Sequence, residues 1–253
     1  LMVLADNVTQ GTNEYFDIDI SDSGELTAVV YKDKDGSDSN PGQYLALFSS
    51  DGSAVAPPIL YGMNGECQNF GIRVAVHGPS GDLVATCQNH QSGPVMFQRY
   101  DSNGVAIDPQ MVSVEPSSGG LSSWYDSHIV GINDAREFVV VYQRSNGASM
   151  RGAFYAWDGE LTGQANIGPV NQTYDAYRNR HARPQALTDG SFLIPEPVQE
   201  SETACVTRFS ASGATLPVDS PSYHCYLTRS DAHGHLFAMQ QSQSSIQITD
   251  AIP

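Results

Sequence analysis

The stretch RNRHARP at residues 178–184 gathers positive charge in a strongly acidic protein. It brings Arg178, Arg180, His181 and Arg183 together, whereas the chain of 253 residues has 12 Lys and Arg against 28 Asp and Glu and a net charge of −16. A guanidinium presents a planar fork of N–H donors that fits a carboxylate or a sulfate. The stretch therefore predicts an anion-binding site. The acidity of the rest of the chain argues against nucleic acid and against anionic membrane surfaces, which both require a basic face.

Aromatic and basic residues accompany this stretch at comparable places in the chain. Flat aromatic rings stack on the apolar faces of sugars, and Arg and His supply charge for an anionic group on the same sugar. The residue types differ from place to place, which favours one central site over several identical ones. The sequence therefore predicts binding of an anionic glycan, uronic or sulfated, by the following residues: Arg73, Trp124, Tyr125, His128, Arg180, His181, Arg183, Tyr223 and His224.

Catalysis is an alternative interpretation of the same residue types. A Tyr or His base beside an Arg that neutralises a uronate carboxylate suits a polysaccharide lyase, while paired carboxylates suit a glycoside hydrolase. The candidate catalytic residues are His128, His224, Tyr125, Asp17, Asp126 and Glu196, with His181, Tyr223, Asp19 and Glu200 as alternatives of the same types.

Two further interpretations stay open. The Arg and His residues can instead pair with Asp17, Asp19 or Asp126 and serve stability alone. A scaffold that only docks a partner protein would use aromatic residues at its rim as binding hot spots, namely Trp124, Tyr174 and Tyr177.

The elements that position these residues repeat along the chain. Four glycines follow one another at intervals of 52, 55 and 54 residues, namely Gly52, Gly104, Gly159 and Gly213. Each stands four residues after an aromatic residue, in order Phe48, Tyr100, Tyr155 and Phe209. Such regular spacing indicates one supersecondary unit that recurs along the chain.

A strand–turn–strand pattern occurs five times. Its copies alternate apolar and polar residues with period two around a turn: FDIDISDSGELTAVVY, IRVAVHGPSGDLVATCQ, HIVGINDAREFVVVYQ, RPQALTDGSFLIPEP and CYLTRSDAHGHLFAMQ. This alternation is typical of β-hairpins, and no stretch has convincing helical periodicity. The chain is therefore predicted to be nearly all β.

A period of about 50 residues that holds four short strands is typical of a β-propeller blade. The sequence predicts a single domain, residues 1–253, that forms a five-bladed propeller of four-stranded blades. An N-terminal strand completes the last blade and closes the ring, because the fifth unit ends after three strands. The predicted blades are 14–65, 66–122, 123–178, 179–221, and 222–253 with 1–13. The predicted site residues then lie at the top face, around the mouth of the central channel.

The repeats resemble those of a secreted bacterial type of β-propeller, whose copies read roughly FVVVW…YAQRFDADG. The matching stretches here are FVVVYQ…RGAFYAWDG and LVATCQ…VMFQRYDSNG. The resemblance covers essentially the whole chain. It implies the architecture and a secreted, periplasmic or cell-surface location, and it is compatible with a place in a larger extracellular assembly. It carries no catalytic residue over, because proteins with such repeats differ in activity.

Four cysteines also fall at the predicted top face. Cys67 and Cys87 are 20 residues apart, as are Cys205 and Cys225. We predict the disulfides Cys67–Cys87 and Cys205–Cys225, which are one of three connectivities open to four cysteines. An even count without CxxC spacing favours crosslinks and an oxidising compartment over zinc binding.

Calcium is the one metal or cofactor that the sequence brings into consideration. The stretch DKDGSDSN places Asp33, Asp35 and Asp38 at the spacing of a calcium loop, but Tyr44 stands where an EF-hand has its bidentate Glu. A solvated loop is the alternative interpretation. Motifs for serine hydrolases, zinc proteases, phosphate loops and dinucleotides are absent, and no apolar run reaches the roughly 18 residues of a membrane span.

Overall fold

The computed structural model describes residues 16–33, 42–61, 70–88, 94–114, 128–143, 149–169, 183–195, 206–217, 227–230, 236–241 and 246–250. These segments consist of β-strands, turns and irregular connections. None of the described segments forms a helix that is long and apolar enough to cross a membrane. The prediction that the chain is all β is confirmed for this part of it.

Most strands belong to four-stranded antiparallel sheets, in which neighbours along the chain are also neighbours in the sheet. Sheet 1 consists of β1 (Phe16–Ile20), β2 (Leu26–Asp33), β3 (Gly42–Ser49) and β4 (Ile59–Tyr61). Sheet 2 consists of β5 (Phe70–Val76), β6 (Leu83–Gln88), β7 (Val95–Tyr100) and β8 (Val112–Ser113).

The second half of the chain repeats this order. Sheet 3 consists of β9 (His128–Ile132), β10 (Phe138–Gln143), β11 (Ser149–Tyr155) and β12 (Leu161–Pro169). Sheet 4 consists of β13 (Gln185–Ala186), β14 (Phe192–Pro195), β15 (Val206–Phe209) and β16 (Thr215–Leu216). Sheet 5 has three strands, β17 (Leu227–Ser230), β18 (Leu236–Gln241) and β19 (Ile246–Asp250).

The chain divides into two compact units, Leu1–Asp126 with sheets 1 and 2, and Ser127–Pro253 with sheets 3, 4 and 5. In the first unit, the period-two alternation of the strands places an apolar face of sheet 1 against an apolar face of sheet 2. Their main buried side chains are Leu26, Ala28, Val30, Leu45, Leu47 and Tyr61 of sheet 1, and Ile72, Val74, Val76, Leu83, Ala85, Cys87, Met96 and Tyr100 of sheet 2. Burial of a large apolar side chain stabilises a fold by about 1.5–3 kcal/mol.

In the second unit, sheet 3 packs on sheet 4 in the same way. Val139 and Val141 of β10 lie in one buried cluster with Phe192 and Ile194 of β14. The ring of Phe154 lies between these layers, with its centroid 6.1 Å from that of Phe192. Each unit therefore has its own sheet-on-sheet core.

The recurrent glycines form the turns between the third and fourth strands of their sheets. Their φ angles are positive, 82°, 81°, 89° and 81° for Gly52, Gly104, Gly159 and Gly213. Each glycine N–H donates to the carbonyl three residues earlier, for example Gly104 to Asp101 at 2.9 Å. Only glycine adopts this left-handed conformation without steric cost, so the repeat in the sequence is a repeat of turn geometry. We call the end of a sheet that carries its two turns the turn end, and the opposite end the loop end.

The predicted ring is tested only in part. Four four-stranded sheets follow the first four predicted units, and β17 to β19 fall in the fifth. Residues 1–13, predicted to close the last blade, lie outside the described residues. The count of five blades, their boundaries, the single domain and the closing strand stay predictions.

Candidate functional site

Arg73, Thr86 and Gln88 form a buried polar patch on one face of sheet 2. Arg73 of β5 lies directly opposite Thr86 of β6, and Gln88 follows Thr86 by two residues, so the three side chains share a face. The core residues Ile72 and Cys87 alternate with them and lie on the other face, towards sheet 1. Arg73 is 5% exposed, and Thr86 and Gln88 are fully buried. We call these three residues the polar patch.

The guanidinium of Arg73 lacks a carboxylate partner among the described residues. Its Nη1 donates to the carbonyl of Ile72 at 2.7 Å. Its Nε is buried and has no hydrogen-bond acceptor there. A buried charge without a counter-charge destabilises a fold by several kcal/mol, because the charge has lost its hydration. Arg73 is therefore a buried positive charge that no carboxylate of the described residues neutralises.

Arg99 of β7 is a buried arginine of the same sheet that has a carboxylate partner. It is 6% exposed, as deeply buried as Arg73, but it forms an ion pair with Asp108. The Nε of Arg99 donates to both carboxylate oxygens of Asp108, at 3.1 and 3.0 Å, and its Nη2 donates to Oδ1. Arg208 of β15 is likewise paired, with Asp189, although it is more exposed.

Gln88 is unsatisfied in the same way as Arg73. Both its Nε2 and its Oε1 are buried and make no hydrogen bond within the described part of the chain. Gln98 of β7, in contrast, donates from Nε2 to the carbonyl of Asp108 at 2.9 Å and accepts at Oε1 from the hydroxyl of Tyr100 at 2.8 Å. An unmet buried amide destabilises a fold by about 1–3 kcal/mol, which sets Gln88 apart from Gln98.

Two more buried hydroxyls lie at the loop end of the first unit. Tyr61 ends β4 and Ser113 ends β8, just as Gln88 ends β6, and second and fourth strands finish at the same end of such sheets. The Oη of Tyr61 and the Oγ of Ser113 have no hydrogen-bond partner in the segments described. Burial raises the pKa of Tyr61 well above its usual value; Tyr100 and then Asp17 raise it further, and Arg73 opposes them. Tyr61 is therefore a neutral hydroxyl that can donate.

Asp17 and Asp19 of β1 have a structural task. The Oδ2 of Asp17 accepts from the backbone N–H of Val74 at 3.0 Å, and that of Asp19 from Val76 at 2.8 Å. The two carboxylates thus join the first strand of sheet 1 to the first strand of sheet 2. Asp17 was expected to be a catalytic candidate with Asp19 as its alternative; that role stays a prediction, and it would have to compete with these bonds.

Strand register separates His128 from the arginines with which it was grouped. The first strands of sheets 2, 3 and 4 end at Val76, Ile132 and Ala186, where each pairs with the second strand. Arg73 and Arg183 both stand three residues before that end, but His128 stands four before it and is 1% exposed. A shift of one residue moves a side chain to the other face of its sheet, so His128 and Arg73 do not occupy equivalent positions.

The other predicted residues are placed as follows. Arg183 is half-buried, and its carbonyl accepts from Nε2 of Gln185 at 3.4 Å. The remaining site and cysteine predictions lie outside the described residues and stay predictions: Trp124, Tyr125, Asp126, Arg180, His181, Glu196, Glu200, Tyr223, His224, Cys67, Cys205 and Cys225. The Sγ of Cys87 is buried 3.5 Å from the Sδ of Met111, and the predicted pairing with Cys67 is untested.

Metal binding also stays untested at the predicted calcium loop, because Asp35 and Asp38 are outside the described residues. Elsewhere in the segments that are described, no three side chains of His, Cys, Asp and Glu are grouped closely enough to hold a metal ion.

Sequence reasoning found Arg73 but missed Gln88, Thr86 and Tyr61. The available signal was the strand LVATCQ of β6, whose apolar pattern ends in an amide. Whether a buried amide is satisfied depends on contacts between strands, which the spacing of residues along one strand does not reveal.

Comparison with known proteins supports the architecture. No protein-family model and no curated protein matches the sequence. Among solved structures, the β-propeller domain of the Trilobed protease from Pyrococcus furiosus superposes with a TM-score of 0.54 at 8% identity, covering 96% of this chain and 70% of that one. The BP39L lectin from Burkholderia pseudomallei gives a TM-score of 0.51 at 11% identity, over 94% of this chain and 69% of the lectin.

An acylaminoacyl peptidase from Pyrococcus horikoshii gives a TM-score of 0.51 at 8% identity, over 89% of this chain and 36% of the peptidase. The similar proteins thus include a lectin and two proteins named for peptide cleavage. At such low identity the likeness is one of fold, because a single fold carries many activities. In the part that the structure describes, the chain is all β, and its four-stranded antiparallel sheets match those of β-propeller proteins.

Proposed function

We propose that the protein is a carbohydrate-binding β-propeller that holds an anionic sugar residue at the polar patch. The observation that carries this proposal is the buried guanidinium of Arg73, which has no carboxylate partner in the described part of the chain. An anionic ligand would neutralise that charge, which no carboxylate of the described residues neutralises. Each charge-assisted hydrogen bond of this kind is worth about 1.5–3 kcal/mol.

Gln88 supports a sugar as the bearer of the anion. Sugar hydroxyls both donate and accept hydrogen bonds, and the amide of Gln88 offers one donor group and one acceptor, neither of them satisfied among the described residues. Trp124 and Tyr125, predicted to stack on sugar rings, lie outside the described residues and stay predicted members of the site. The proposed setting is secreted, periplasmic or cell-surface, in keeping with the predicted disulfides. The fold is one that a lectin uses, so the architecture is compatible with this function without selecting it.

Polysaccharide cleavage, by a lyase or a glycoside hydrolase, is the alternative. One of its carboxylate candidates, Asp17, is hydrogen-bonded to the backbone of Val74. A carboxylate fixed between two strands is suited to positioning those strands, whereas a general acid or a nucleophile must meet the scissile bond. This contact favours binding over hydrolysis by Asp17.

The test combines a glycan array with a reducing-end assay on one preparation of the wild-type protein and one of Arg73→Leu. We expect the wild type to retain acidic glycans without any growth of reducing ends, and Arg73→Leu to lose that retention. Growth of reducing ends would show an enzyme. Retention of neutral glycans only, or equal retention by the variant, would refute the proposed function.

A further inference from the structure

We infer that the outer edge of β12 in sheet 3 binds a second copy of this chain, with the two β12 strands antiparallel about a twofold axis at Ala165. We call this surface, formed by residues 163–166, the β12 edge. It is separate from the polar patch, and the inference goes beyond the proposed function. The length of β12, the direction of its main-chain groups and its lack of charge carry the inference.

β12 is much longer than the fourth strands of the other four-stranded sheets described. It has nine residues, whereas β4 has three and β8 and β16 have two each. It stands at the edge of sheet 3, where it pairs with β11 on one side and with no described strand on the other. Proteins usually keep edge strands short or charged, because a long edge is a template for pairing with another chain. The length of β12 therefore indicates a surface that pairs.

The hydrogen-bond pattern of sheet 3 determines which residues of β11 face β12. The N–H of Ala156, directly after β11, donates to the carbonyl of Glu160 at 2.9 Å, on the side of β12. Along a regular antiparallel strand, successive residues direct their main-chain groups to opposite neighbours. β11 pairs with β10 without a register shift, so Phe154 and Gly152 direct their main-chain groups towards β12 as Ala156 does.

These two residues of β11 fix the direction of the main-chain groups of β12. Gly163 and Ala165 lie opposite them, so Gly163 and Ala165 direct their N–H and C=O groups towards β11. Gln164 and Asn166 alternate with them and direct theirs away from the sheet. The register shifts between β11 and β12 lie outside this run. Gln164 and Asn166 therefore present N–H and C=O groups that no described strand pairs with.

The β12 edge is complementary to its own copy. With a twofold axis at Ala165, Gln164 lies opposite Asn166 of the second copy, and Asn166 lies opposite the second copy's Gln164. Residues that are opposite in this way exchange both of their main-chain hydrogen bonds, so each copy satisfies the outward groups of the other. The side chains of Gln164 and Asn166 are exposed, and each amide offers a donor and an acceptor to the other.

Charge favours a second copy as the occupant of this edge. The chain has a net charge of −16, which opposes contact between two copies over most of their surface. The sequence of β12, LTGQANIGP, contains no Asp, Glu, Lys or Arg. Like charges directly opposite each other on paired strands are destabilising, and two β12 strands avoid them. Two acidic copies can therefore approach each other here.

Contacts with sheet 4 hold β12 in position. Oγ1 of Thr162 donates to the carbonyl of Ala211 at 3.0 Å. A Cβ atom at residue 163 would collide with the carbonyl oxygen of Ser212, so glycine is required for this close approach. The strand is thereby fixed on one face while Gln164 remains exposed. A strand that is already ordered loses little conformational entropy when it pairs.

The experiment is sedimentation equilibrium of the full chain at rising protein concentration, in high salt that screens the repulsion between copies. We expect a reversible equilibrium between monomer and dimer. Gln164→Pro removes an outward N–H and no hydrogen bond within the sheet, so its thermal stability should remain that of the wild type. It should weaken the dimer by about tenfold or more, because each copy loses a main-chain hydrogen bond to the other.

The short edge strand β16 of sheet 4 provides the matched control. The N–H of Ser210 donates to the carbonyl of Ala214, so Ser210 faces β16 and Phe209 faces β14. Thr215 lies opposite Phe209 and therefore directs its N–H outwards, as Gln164 does. Thr215→Pro should leave the dimer unchanged, because β16 has two residues and is not the proposed contact.

Hydrogen exchange of the wild type gives a measurement that does not depend on the folding of a variant. The amides of Gln164 and Asn166 should exchange more slowly as the protein concentration rises, whereas that of Thr215 should not. The inference would be overturned by a chain that stays monomeric, by equal dimer strength in Gln164→Pro and the wild type, or by equal weakening in Gln164→Pro and Thr215→Pro. Exchange at Gln164 and Asn166 that is independent of concentration would also overturn it.

Discussion

Sheet 2 contains two buried pairs of Arg and Gln. Arg99 and Gln98 lie around Asp108 near the turn end, and Arg73 and Gln88 belong to the polar patch. Among the described residues, only the first pair has a carboxylate partner for its guanidinium and hydrogen-bond partners for its amide. Asp108 meets the guanidinium of Arg99 and, with Tyr100, the amide of Gln98. In the polar patch, Nε of Arg73 and both amide atoms of Gln88 are unmet among the described residues. The two groups lie in one sheet and are similarly buried, so they differ in where their partners are. Asp108 and Tyr100 stabilise the first group, and the proposed ligand would meet the second.

The largest expected effect is a difference in unfolding free energy between variants of Arg99 and variants of Arg73. Arg99→Leu leaves the carboxylate of Asp108 buried and unpaired, so we expect a loss of about 3–5 kcal/mol in the free energy of unfolding. Arg73→Leu removes an unpaired charge and should leave that free energy unchanged or raise it. Urea denaturation of the two variants beside the wild type measures both values. Equal losses would mean that Arg73 has an intramolecular counter-charge, and the comparison would fail.

A smaller loss of stability is expected when Asp17 is substituted, because its carboxylate joins sheet 1 to sheet 2. Asp17→Ala removes the acceptor of the Val74 N–H, and we expect the unfolding free energy to fall by about 1–3 kcal/mol, the effect of an unmet buried donor. Asp17→Asn keeps a side-chain oxygen and should lose less. Glycan binding should persist in both variants. Loss of binding or of any cleavage activity at unchanged stability would make Asp17 a functional carboxylate after all.

The smallest effect concerns a turn end of sheet 3. Arg136 has a φ of 61°, at a turn where Gly24, Gly81 and Gly190 occupy the matching positions of sheets 1, 2 and 4. Its guanidinium lies 5.7 Å from the ring centroid of Trp157. Arg136→Ala and Arg136→Gly both lose that contact, but only glycine relieves the left-handed backbone. We expect Arg136→Gly to be more stable than Arg136→Ala by about 1 kcal/mol in thermal melts. The usual order, with alanine more stable, would contradict the assignment of strain.

The fold was largely predictable because its signals are local. Strands such as FVVVYQ and the recurrent glycines are properties of short segments, and the positive φ angles of Gly52, Gly104, Gly159 and Gly213 explain why those positions recur. The closing strand and the count of blades depend instead on how distant segments meet. They stay predictions for that reason.

The site was predictable only in its residue types. Arg73 and His128 were grouped because both stand near the start of a first strand in a chain that is poor in positive charge, but His128 is one residue out of register with Arg73. Because successive side chains of a strand point to opposite faces of the sheet, a shift of one residue places the side chain on the other face. Gln88 was missed because the lack of hydrogen bonds to its amide depends on contacts in the folded sheet. The sequence shows only that a glutamine is present.

The most direct test of the account is a titration of a uronate oligomer into Arg73→Leu, with the unfolding free energy measured on the same sample. The account predicts that affinity falls by at least tenfold, as expected for the loss of a charge-assisted hydrogen bond, while the variant is as stable as the wild type or more so. A variant that binds the uronate as the wild type does but unfolds more easily would make Arg73 a structural residue and contradict the account.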